Sequence, residues 1–397
     1  MKFISCTIVA AVVACIPVCS ALNISTTGFR DVIISRSTGN KSICVAGYLN
    51  VPISVNGTKL NYTVPATNEA STETMVEILQ ITNSLTHTAP IGTQLIQGNY
   101  SIYSRLCLPD TAAKITNIKT VQVLTHGITA DNTYWDISPG YSYIDAATDA
   151  GYATLSYDQL GVGNSDHPDP IQVVQAASQV AVTHALVQLL RNAKVGGYHF
   201  QNIVGVGHSA GSILTQAVTA QYPRDLDAVI LTGLVTNSYY LAITQASLNM
   251  VNANSQVSGQ FRDLPAGYLT PQTEVGIQFA FYRWPNYDTA AFSRQVAHKS
   301  TNSIGVELTL GGLLGPASSF AGPVDVVLGA NDLVSCGGNC THPQNQAAAF
   351  LSTSYPNASP GSQTFIAAGA GHAIAAHKSA GDSFAHMIDF LQTNQIS

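Results

Sequence analysis

The fold of this chain is decided by the stretch Asn202-Ile203-Val204-Gly205-Val206-Gly207-His208-Ser209-Ala210-Gly211-Ser212. Its first half is a short apolar run typical of a buried strand, and apolar residues at helical spacing follow. A strand, a sharp Gly-x-Ser-x-Gly turn and a helix in this order form a nucleophile elbow, which holds the serine oxygen above the end of a sheet. We therefore expect Ser209 to be a nucleophile, flanked by Gly207 and Gly211 because a side chain there would collide with the turn. The pentapeptide alone would also fit an ordinary glycine-rich loop.

Strand and helix patterns alternate on both sides of this stretch. Strand-like runs lie at residues 121–124, 152–156, 228–232, 324–328 and 363–367. Helical patterns begin at Asp169-Pro170, near residue 343 and near residue 379. This alternation predicts an α/β fold, in which helices cover both faces of a mostly parallel sheet.

Changes of pattern divide the chain into regions. Residues 22–110 form a β-rich N-terminal region, with strand-like runs at 31–35, 43–55 and 100–108. Residues 111–235 and 317–397 form the two parts of the α/β core. The periodicity weakens between them, and we interpret residues 236–316 as a cap inserted over the sheet. Most cap aromatics are expected to pack against one another, and we expect Tyr240, Phe281 and Trp284 to line a substrate pocket.

The first 21 residues have the pattern of a signal peptide. Lys2 precedes an apolar run over residues 3–17, and Cys19-Ser20-Ala21 provides small residues for cleavage after about Ala21. The apolar run is too short for a comfortable membrane span, and an uncleaved anchor is the alternative. These features predict a secreted protein without a stable membrane anchor.

Four of the seven cysteines follow the predicted cleavage site. An even number in an oxidising compartment indicates two disulfides. We favour Cys336–Cys340, which are close in sequence, and Cys44–Cys107, which both lie in strand-like runs; a zinc site including His342 is the alternative. Glycosylation sequons occur at Asn23, Asn40, Asn56, Asn61, Asn99, Asn339 and Asn357.

Composition excludes several classes of function. Hydrophobic residues make up 46% of the chain and charged residues 10%, which indicates a globular protein rather than a disordered one. The net charge is −6 and no polybasic run occurs, so nucleic acid is not an expected partner. No metal or cofactor is expected, because the chemistry below needs neither.

A serine hydroxyl needs a base within hydrogen-bonding reach, and the base needs an orienting carboxylate. Asp332 follows one predicted strand and His372 follows the next, so both are expected at the carboxyl edge of the sheet. Asp325, which lies inside a strand, is a weaker candidate for the acid. The remaining late histidines, His377 and His386, are interpreted as ordinary helical residues.

A developing oxyanion requires two backbone N–H donors. One is expected from Ala210, directly after the serine, and the other from Ile128, in the loop that follows the first core strand. Gly127 lets this loop approach closely, and His126 is expected either to contribute or only to hold the loop. His208 is expected to line the pocket rather than to act as the base.

Together these motifs resemble the α/β-hydrolase superfamily. The resemblance rests on His126-Gly127, on the loop from Tyr157 to Ser165, on the serine turn, on Asp332 and on Gly371-His372. The whole chain is similar to secreted fungal serine hydrolases of that superfamily. The resemblance implies an esterase-like or lipase-like enzyme that acts on a small-molecule, hydrophobic ester through an acyl-enzyme. A serine nucleophile argues against epoxide hydrolase or haloalkane dehalogenase chemistry.

Two other functions are compatible with the same residues. The triad also serves amidases, peptidases and acyltransferases, which differ in leaving group and acceptor. The fold also hosts binding modules that have lost activity. The motifs specify a mechanism and leave the substrate and the oligomeric state open.

Overall fold

A nine-stranded sheet runs through the protein. The computed structural model describes residues 24–396, apart from 112–114, 116, 236–239 and 257–258. Its strands are β1 (Arg30–Arg36), β2 (Ser42–Leu60), β3 (Pro90–Pro109), β4 (Thr120–Thr125), β5 (Ala153–Tyr157), β6 (Asn202–His208), β7 (Ala228–Thr232), β11 (Val324–Gly329) and β12 (Gln363–Ala367). Their order across the sheet is β1-β2-β3-β5-β4-β6-β7-β11-β12.

The six strands from β5 to β12 in this order are parallel, as the alternating pattern predicted. The N-terminal strands β1, β2 and β3 are antiparallel and join the same sheet, because β3 pairs with β5. The β-rich N-terminal region therefore extends the core sheet. The expected fold class is confirmed: this is an α/β-hydrolase fold with an N-terminal strand extension.

Successive residues of the central strands enter two different cores. In β7, Val229 and Leu231 belong to one cluster of buried side chains, whereas Ala228 and Ile230 belong to the other. This follows from the two-residue period of a strand, which points alternate side chains to opposite faces. Helices cover both faces: Ala176–Arg191 and Ala210–Gln221 contribute to the first core, and Tyr143–Asp149 and Ala380–Thr393 contribute to the second.

Two helical features differ from the expectation. The helix expected from Asp169-Pro170 begins at Ala176, because Asp169 caps a separate turn, accepting from the N–H groups of Ile171 and Gln172 at 2.8 and 2.7 Å. In addition, the helices Asn68–Leu79 and Leu85–Thr88 connect β2 to β3 within the region expected to be β-rich. Further helices in the last part of the core are Leu333–Cys336 and Gln346–Ser354.

The segment between β7 and β11 contains short elements of its own. Its helices are Leu241–Leu248, Glu274–Phe281, Thr289–Ala297 and Ile304–Thr309. Its strands β8 (Met250–Asn252), β9 (Tyr268–Pro271) and β10 (Asn302–Ser303) form a second sheet in the order β10-β9-β8. The helix Asn68–Leu79 packs against β8. The two insertions, which are the helical segment between β2 and β3 and the segment between β7 and β11, therefore contact each other.

Covalent and surface features complete the fold. Disulfides join Cys44 to Cys107, which lie directly opposite each other on β2 and β3, and Cys336 to Cys340, beyond β11. The predicted signal peptide and Asn23 lie outside the described residues. The other six sequon asparagines are exposed: Asn40, Asn56, Asn61, Asn99, Asn339 and Asn357. Within the described ranges, no helix combines the length and apolarity that a membrane crossing requires.

Candidate active site

Ser209 occupies a strained turn between β6 and the helix Ala210–Gln221. Its backbone is left-handed, with φ 54° and ψ −121°, a conformation that costs a non-glycine residue about 1–3 kcal/mol. A Cβ on Gly207 would lie 2.6 Å from the Cα of Ser212, and one on Gly211 would lie 2.2 Å from the carbonyl oxygen of Thr125. Only glycine fits at these two positions, and the tight turn leaves Ser209 partly exposed among buried neighbours.

Asp332 and His372 form a buried pair at the carboxyl edge of the sheet. His372 Nδ1 donates to Asp332 Oδ2 at 2.8 Å, and both side chains are almost fully buried, at 1% and 0% exposure. The other carboxylate oxygen accepts from the Ser335 N–H at 2.8 Å. Because Nδ1 carries the proton, Nε2 of the neutral ring holds a lone pair, and this buried atom has no hydrogen-bond partner among the described residues.

The alternative acid, Asp325, lies elsewhere on β11. It is the second residue of the strand, and its Oδ1 accepts from His386 Nε2 at 3.0 Å. A rise of about 3.3 Å per residue places it roughly 13 Å from the end of the strand that leads to Asp332. The Cys336–Cys340 disulfide closes the loop that follows Asp332. Within this loop, the Gly338 N–H donates to the backbone carbonyl oxygen of Asp332 at 2.9 Å.

Two backbone donors lie beside the serine. A Cβ on Gly127 would be only 3.1 Å from the Cβ of Ser209, so the loop after β4 passes directly against the elbow. Among the described residues, the N–H groups of Ile128 and Ala210 donate to no other group. His126 holds the loop: its Nδ1 donates to the Gly127 carbonyl at 2.8 Å, and its Nε2 accepts from the Gln159 N–H at 3.2 Å.

His208, the last residue of β6, is buried beside Ser209. The hydroxyl of Thr232 donates to the Gly207 carbonyl and therefore accepts from His208 Nδ1, at 3.0 Å. Burial, followed by the rings of His372 and His126, holds the pKa of His208 well below its usual range, so the ring stays neutral. Tyr134 stacks on it at 4.4 Å. No group of three or more His, Cys, Asp or Glu side chains within the described ranges is arranged to hold a metal ion.

Two cavities meet at Ser209. The first, of about 30 Å³, is small and also reaches Ile128, His208 and His372. The second is a largely apolar cleft of about 360 Å³, within the usual size range of small-molecule sites. Its walls come from both insertions and the core: Ile78, Leu79, Thr86, Ile213, Leu234, Leu241, Leu310, Leu314 and Val334.

Of the three aromatic residues expected in the pocket, the structure brings only Phe281 to it. Phe281 lines both cavities, and its ring lies 5.4 Å from that of His372. Trp284 is 62% exposed and packs against Tyr287, and Tyr240 lies against Gly337 near the disulfide, so neither lines the two cavities. Their orientation follows from long-range packing, which the local sequence pattern does not contain.

Comparison with known proteins identifies the family. The sequence pattern of the alpha/beta hydrolase family matches residues 122–386, well over half of the chain. The chain belongs to the alpha/beta hydrolase family. No curated protein matches it.

Solved structures are similar to this alpha/beta hydrolase at low sequence identity. One is a putative aryl esterase from Burkholderia cenocepacia, 14% identical, with a TM-score of 0.50 over 75% of this chain and 96% of that one. Another is a thermophilic esterase from Thermogutta terrifontis, 15% identical, with a TM-score of 0.49 over 75% of this chain and 95% of that one. At such identities the likeness concerns the fold alone.

His377, interpreted from the sequence as an ordinary residue, connects two parts of the hydrolase. Its Nε2 accepts from the N–H groups of Gly371 and Arg283 at 2.9 and 3.0 Å, and its Nδ1 donates to the Ala373 carbonyl at 2.8 Å. It thereby joins the loop that carries His372 to the chain just beyond the helix Glu274–Phe281. A period-based analysis could not find it, because its partners are backbone groups and one of them, Arg283, lies 94 residues away in sequence.

His377→Gln should weaken the pH dependence of stability. Burial lowers the pKa of His377 from 6.5 to about 4. Between these values the unfolded chain binds a proton that the folded protein excludes, so the free energy of unfolding decreases as the pH falls from 6.5 to 4, by about 3 kcal/mol in total. Glutamine keeps an acceptor but does not titrate.

Urea unfolding of both proteins at several pH values across this window measures the effect. His126 and His208 remain in the variant, so its free energy of unfolding keeps a residual dependence on pH. The exposed His87→Gln serves as the matched control and should behave like the wild type. An identical pH dependence in wild type and His377→Gln would contradict this account.

Proposed function

We propose that this protein is a serine hydrolase that cleaves a carboxylic ester through an acyl-enzyme on Ser209. The observation that carries the proposal is that three independent features of the site lie around the partly exposed hydroxyl of Ser209. The unpaired Nε2 of the His372–Asp332 pair shares its cavity, two unpaired N–H groups lie beside it, and a largely apolar cleft opens onto it.

In the first half-reaction, Ser209 Oγ attacks the acyl carbonyl carbon and passes its proton to His372 Nε2. Asp332 accepts from Nδ1 throughout and stabilises the imidazolium that forms. The carbonyl oxygen gains negative charge and is met by the N–H groups of Ile128 and Ala210. Each such donor contributes about 3 kcal/mol to the transition state. The tetrahedral intermediate then expels the alcohol, which takes the proton from His372.

The second half-reaction reverses these roles with water. His372 accepts a proton from a water molecule, whose oxygen attacks the acyl carbon of the ester formed on Ser209. Collapse of the second intermediate releases the acid and returns the proton to Ser209. The neutral state of His208, which its lowered pKa maintains, keeps a second positive charge away from the imidazolium.

The shape of the site supports an apolar substrate. The cleft of about 360 Å³ is lined mainly by leucine, isoleucine and valine, so it favours an ester with a hydrophobic acyl or alcohol part. The cavity of about 30 Å³ that also borders Ser209 has room for only a small group or water.

We also propose that the protein is secreted. The signal-peptide pattern of residues 1–21 motivates this, and two disulfides together with six exposed sequons support it. Disulfides of this kind persist in oxidising compartments. N-terminal sequencing of the protein recovered from the medium of its host tests the cleavage site, and retention of Met1 would contradict it.

A panel of p-nitrophenyl esters of increasing acyl length, together with matched anilides, tests the proposed reaction. We expect hydrolysis of the esters and a preference for acyl chains longer than acetyl. Faster cleavage of the anilides would favour an amidase, and ester products formed with added alcohols would favour an acyltransferase. The absence of turnover on every substrate would favour a binding module.

Phe281→Leu should change the ranking of these esters. Phe281 separates the apolar cleft from His372, so a smaller side chain reshapes the space beside the reacting carbonyl. A change of one or two methylenes in an apolar pocket alters preference by about tenfold. We expect a shift of this size in the ratio of kcat/KM for octanoate and acetate esters.

Trp284→Leu is the matched control, because this exposed aromatic residue of the same insertion lies outside both cavities. It should leave the ratio unchanged. Melting temperatures of both variants separate loss of packing from a change in specificity. An equal loss of activity on every ester in Phe281→Leu would contradict a specificity role.

A further inference from the structure

The apolar cleft contains one partly buried acidic group that the proposed reaction does not use. Glu307 lies on the helix Ile304–Thr309 and lines the cleft that opens onto Ser209. Among the described lining residues it is the only charged one. A carboxylate at the wall of an otherwise apolar site is costly unless a partner compensates it.

The described partners of Glu307 are neutral. Gln245 Nε2 donates to both carboxylate oxygens at 3.1 and 3.0 Å, and Asn302 Nδ2 donates to Oε1 at 2.5 Å. No lysine, arginine or histidine of the described chain forms an ion pair with it. Burial raises the pKa of Glu307, and the hydrogen bonds from Gln245 and Asn302 partly oppose this. In the ionised form, the Glu307 carboxylate is hydrogen-bonded by two amides, but no positive charge balances it.

Gln245 adds a second unsatisfied acceptor at the same place. It lies on the helix Leu241–Leu248, also lines the cleft and is only 4% exposed. A carboxylate can only accept, so the amide nitrogen of Gln245 must face Glu307. The amide oxygen is left over, and it is buried without a hydrogen-bond partner in the described part of the chain. Gln245 therefore gives up one hydrogen bond in order to direct its amide nitrogen at Glu307, which indicates that the carboxylate determines the polarity of this wall.

We propose that Glu307 and Gln245 form a polar subsite that binds an alkylammonium group carried by the apolar part of the substrate. An ammonium group offers three donors and the missing positive charge, so it satisfies the carboxylate at the wall of the cleft. A hydroxyl group offers one donor and leaves the charge unbalanced. This inference rests on the proposed function and narrows its substrate class to esters that bear an amine.

Competitive inhibition of p-nitrophenyl acetate hydrolysis tests the subsite without assuming how far it lies from Ser209. Primary alkylammonium ions from butyl to octyl are compared with the alcohols of the same length. Hydrogen bonds to a charged group predict inhibition by the best ammonium ion about 10- to 100-fold stronger than by its alcohol in the wild type. Glu307→Gln should abolish this preference, which is a ratio of two inhibition constants measured on the same protein and so does not depend on its basal kcat/KM.

The matched control is Glu274→Gln, which removes an exposed charge from the same insertion and should keep the preference. Glu307→Ala provides a second variant if the glutamine variant does not fold. Equal inhibition by ammonium ions and alcohols in the wild type, or a preference that survives in Glu307→Gln, overturns the subsite. A wild-type protein that fails to hydrolyse p-nitrophenyl acetate contradicts the proposed reaction instead, and calorimetric titration with octylammonium then tests the subsite alone.

Discussion

Ser209→Ala should lower kcat/KM for p-nitrophenyl esters by roughly 10⁴-fold or more while the protein remains folded. The hydroxyl is the only group proposed to bond to the acyl carbon, so the variant must use water directly. The turn itself depends on Gly207 and Gly211 and on the bond from the Ser209 N–H to the Thr232 carbonyl at 2.8 Å. None of these involves the serine side chain, so the elbow should persist.

Ester hydrolysis and labelling by a fluorophosphonate probe measure this effect together. The wild type should react with one probe molecule per chain, and Ser209→Ala should not react. Ser212→Ala is the matched control from the same turn: its hydroxyl donates to the Thr232 carbonyl at 2.9 Å, and its loss should cost about 1 kcal/mol of stability while labelling persists. Labelling of Ser209→Ala at another residue would refute the assignment.

Asp332→Asn should lower kcat by about 10⁴-fold. Both oxygens of this buried carboxylate accept, one from His372 Nδ1 and the other from the Ser335 N–H. Asparagine has a single acceptor oxygen, so its NH₂ group must face one of these donors. If it faces His372, the ring takes the opposite tautomer, and Nε2 carries a proton where the reaction needs a lone pair.

Asp325→Asn separates this effect from the general cost of changing a buried aspartate. Asp325 is also fully buried on β11 and also bonds to a histidine, His386, but it lies away from the carboxyl edge. Its substitution should lower the melting temperature and leave kcat close to the wild-type value. Stopped-flow measurement of the acylation step in both variants compares them directly. A loss of kcat in Asp325→Asn equal to that in Asp332→Asn would show that the site is assigned to the wrong pair.

Short-range sequence patterns were sufficient to predict the sheet and the residues at its carboxyl edge. A strand has a two-residue period and a helix a period of 3.6, so the alternation of elements can be recognised within about ten residues. Parallel strands direct their carboxyl ends to one edge, which is why Asp332 and His372 could be placed together although 40 residues separate them. The serine turn could be predicted in the same way. In any elbow of this shape, a side chain at either flanking glycine would collide with neighbouring backbone atoms.

The walls of the site depended on contacts that no local pattern contains. The helices Asn68–Leu79 and Leu85–Thr88 interrupt a region of strand-like composition, yet they supply Ile78, Leu79 and Thr86 to the cleft. Phe281 faces the site while Trp284, three residues later, faces solvent. In an irregular insertion the direction of a side chain is set by long-range packing against the core, and that packing is absent from any short stretch of sequence.

The sequence by itself determined the α/β order of elements, the serine turn and the two strand ends that carry an acid and a histidine, because each depends on periodicity or on sterics within a few residues. Only the tertiary structure decided that His377 joins the loop of His372 to the inserted segment, and that Glu307 and Gln245 meet at the cleft. The Gln245–Glu307 and Arg283–His377 pairings connect residues 62 and 94 positions apart. Folding buries these backbone amides, carboxylates and side-chain amides together. Because a buried polar group needs a hydrogen-bond partner, each one pairs with a group of the neighbouring element, however distant that element is in sequence.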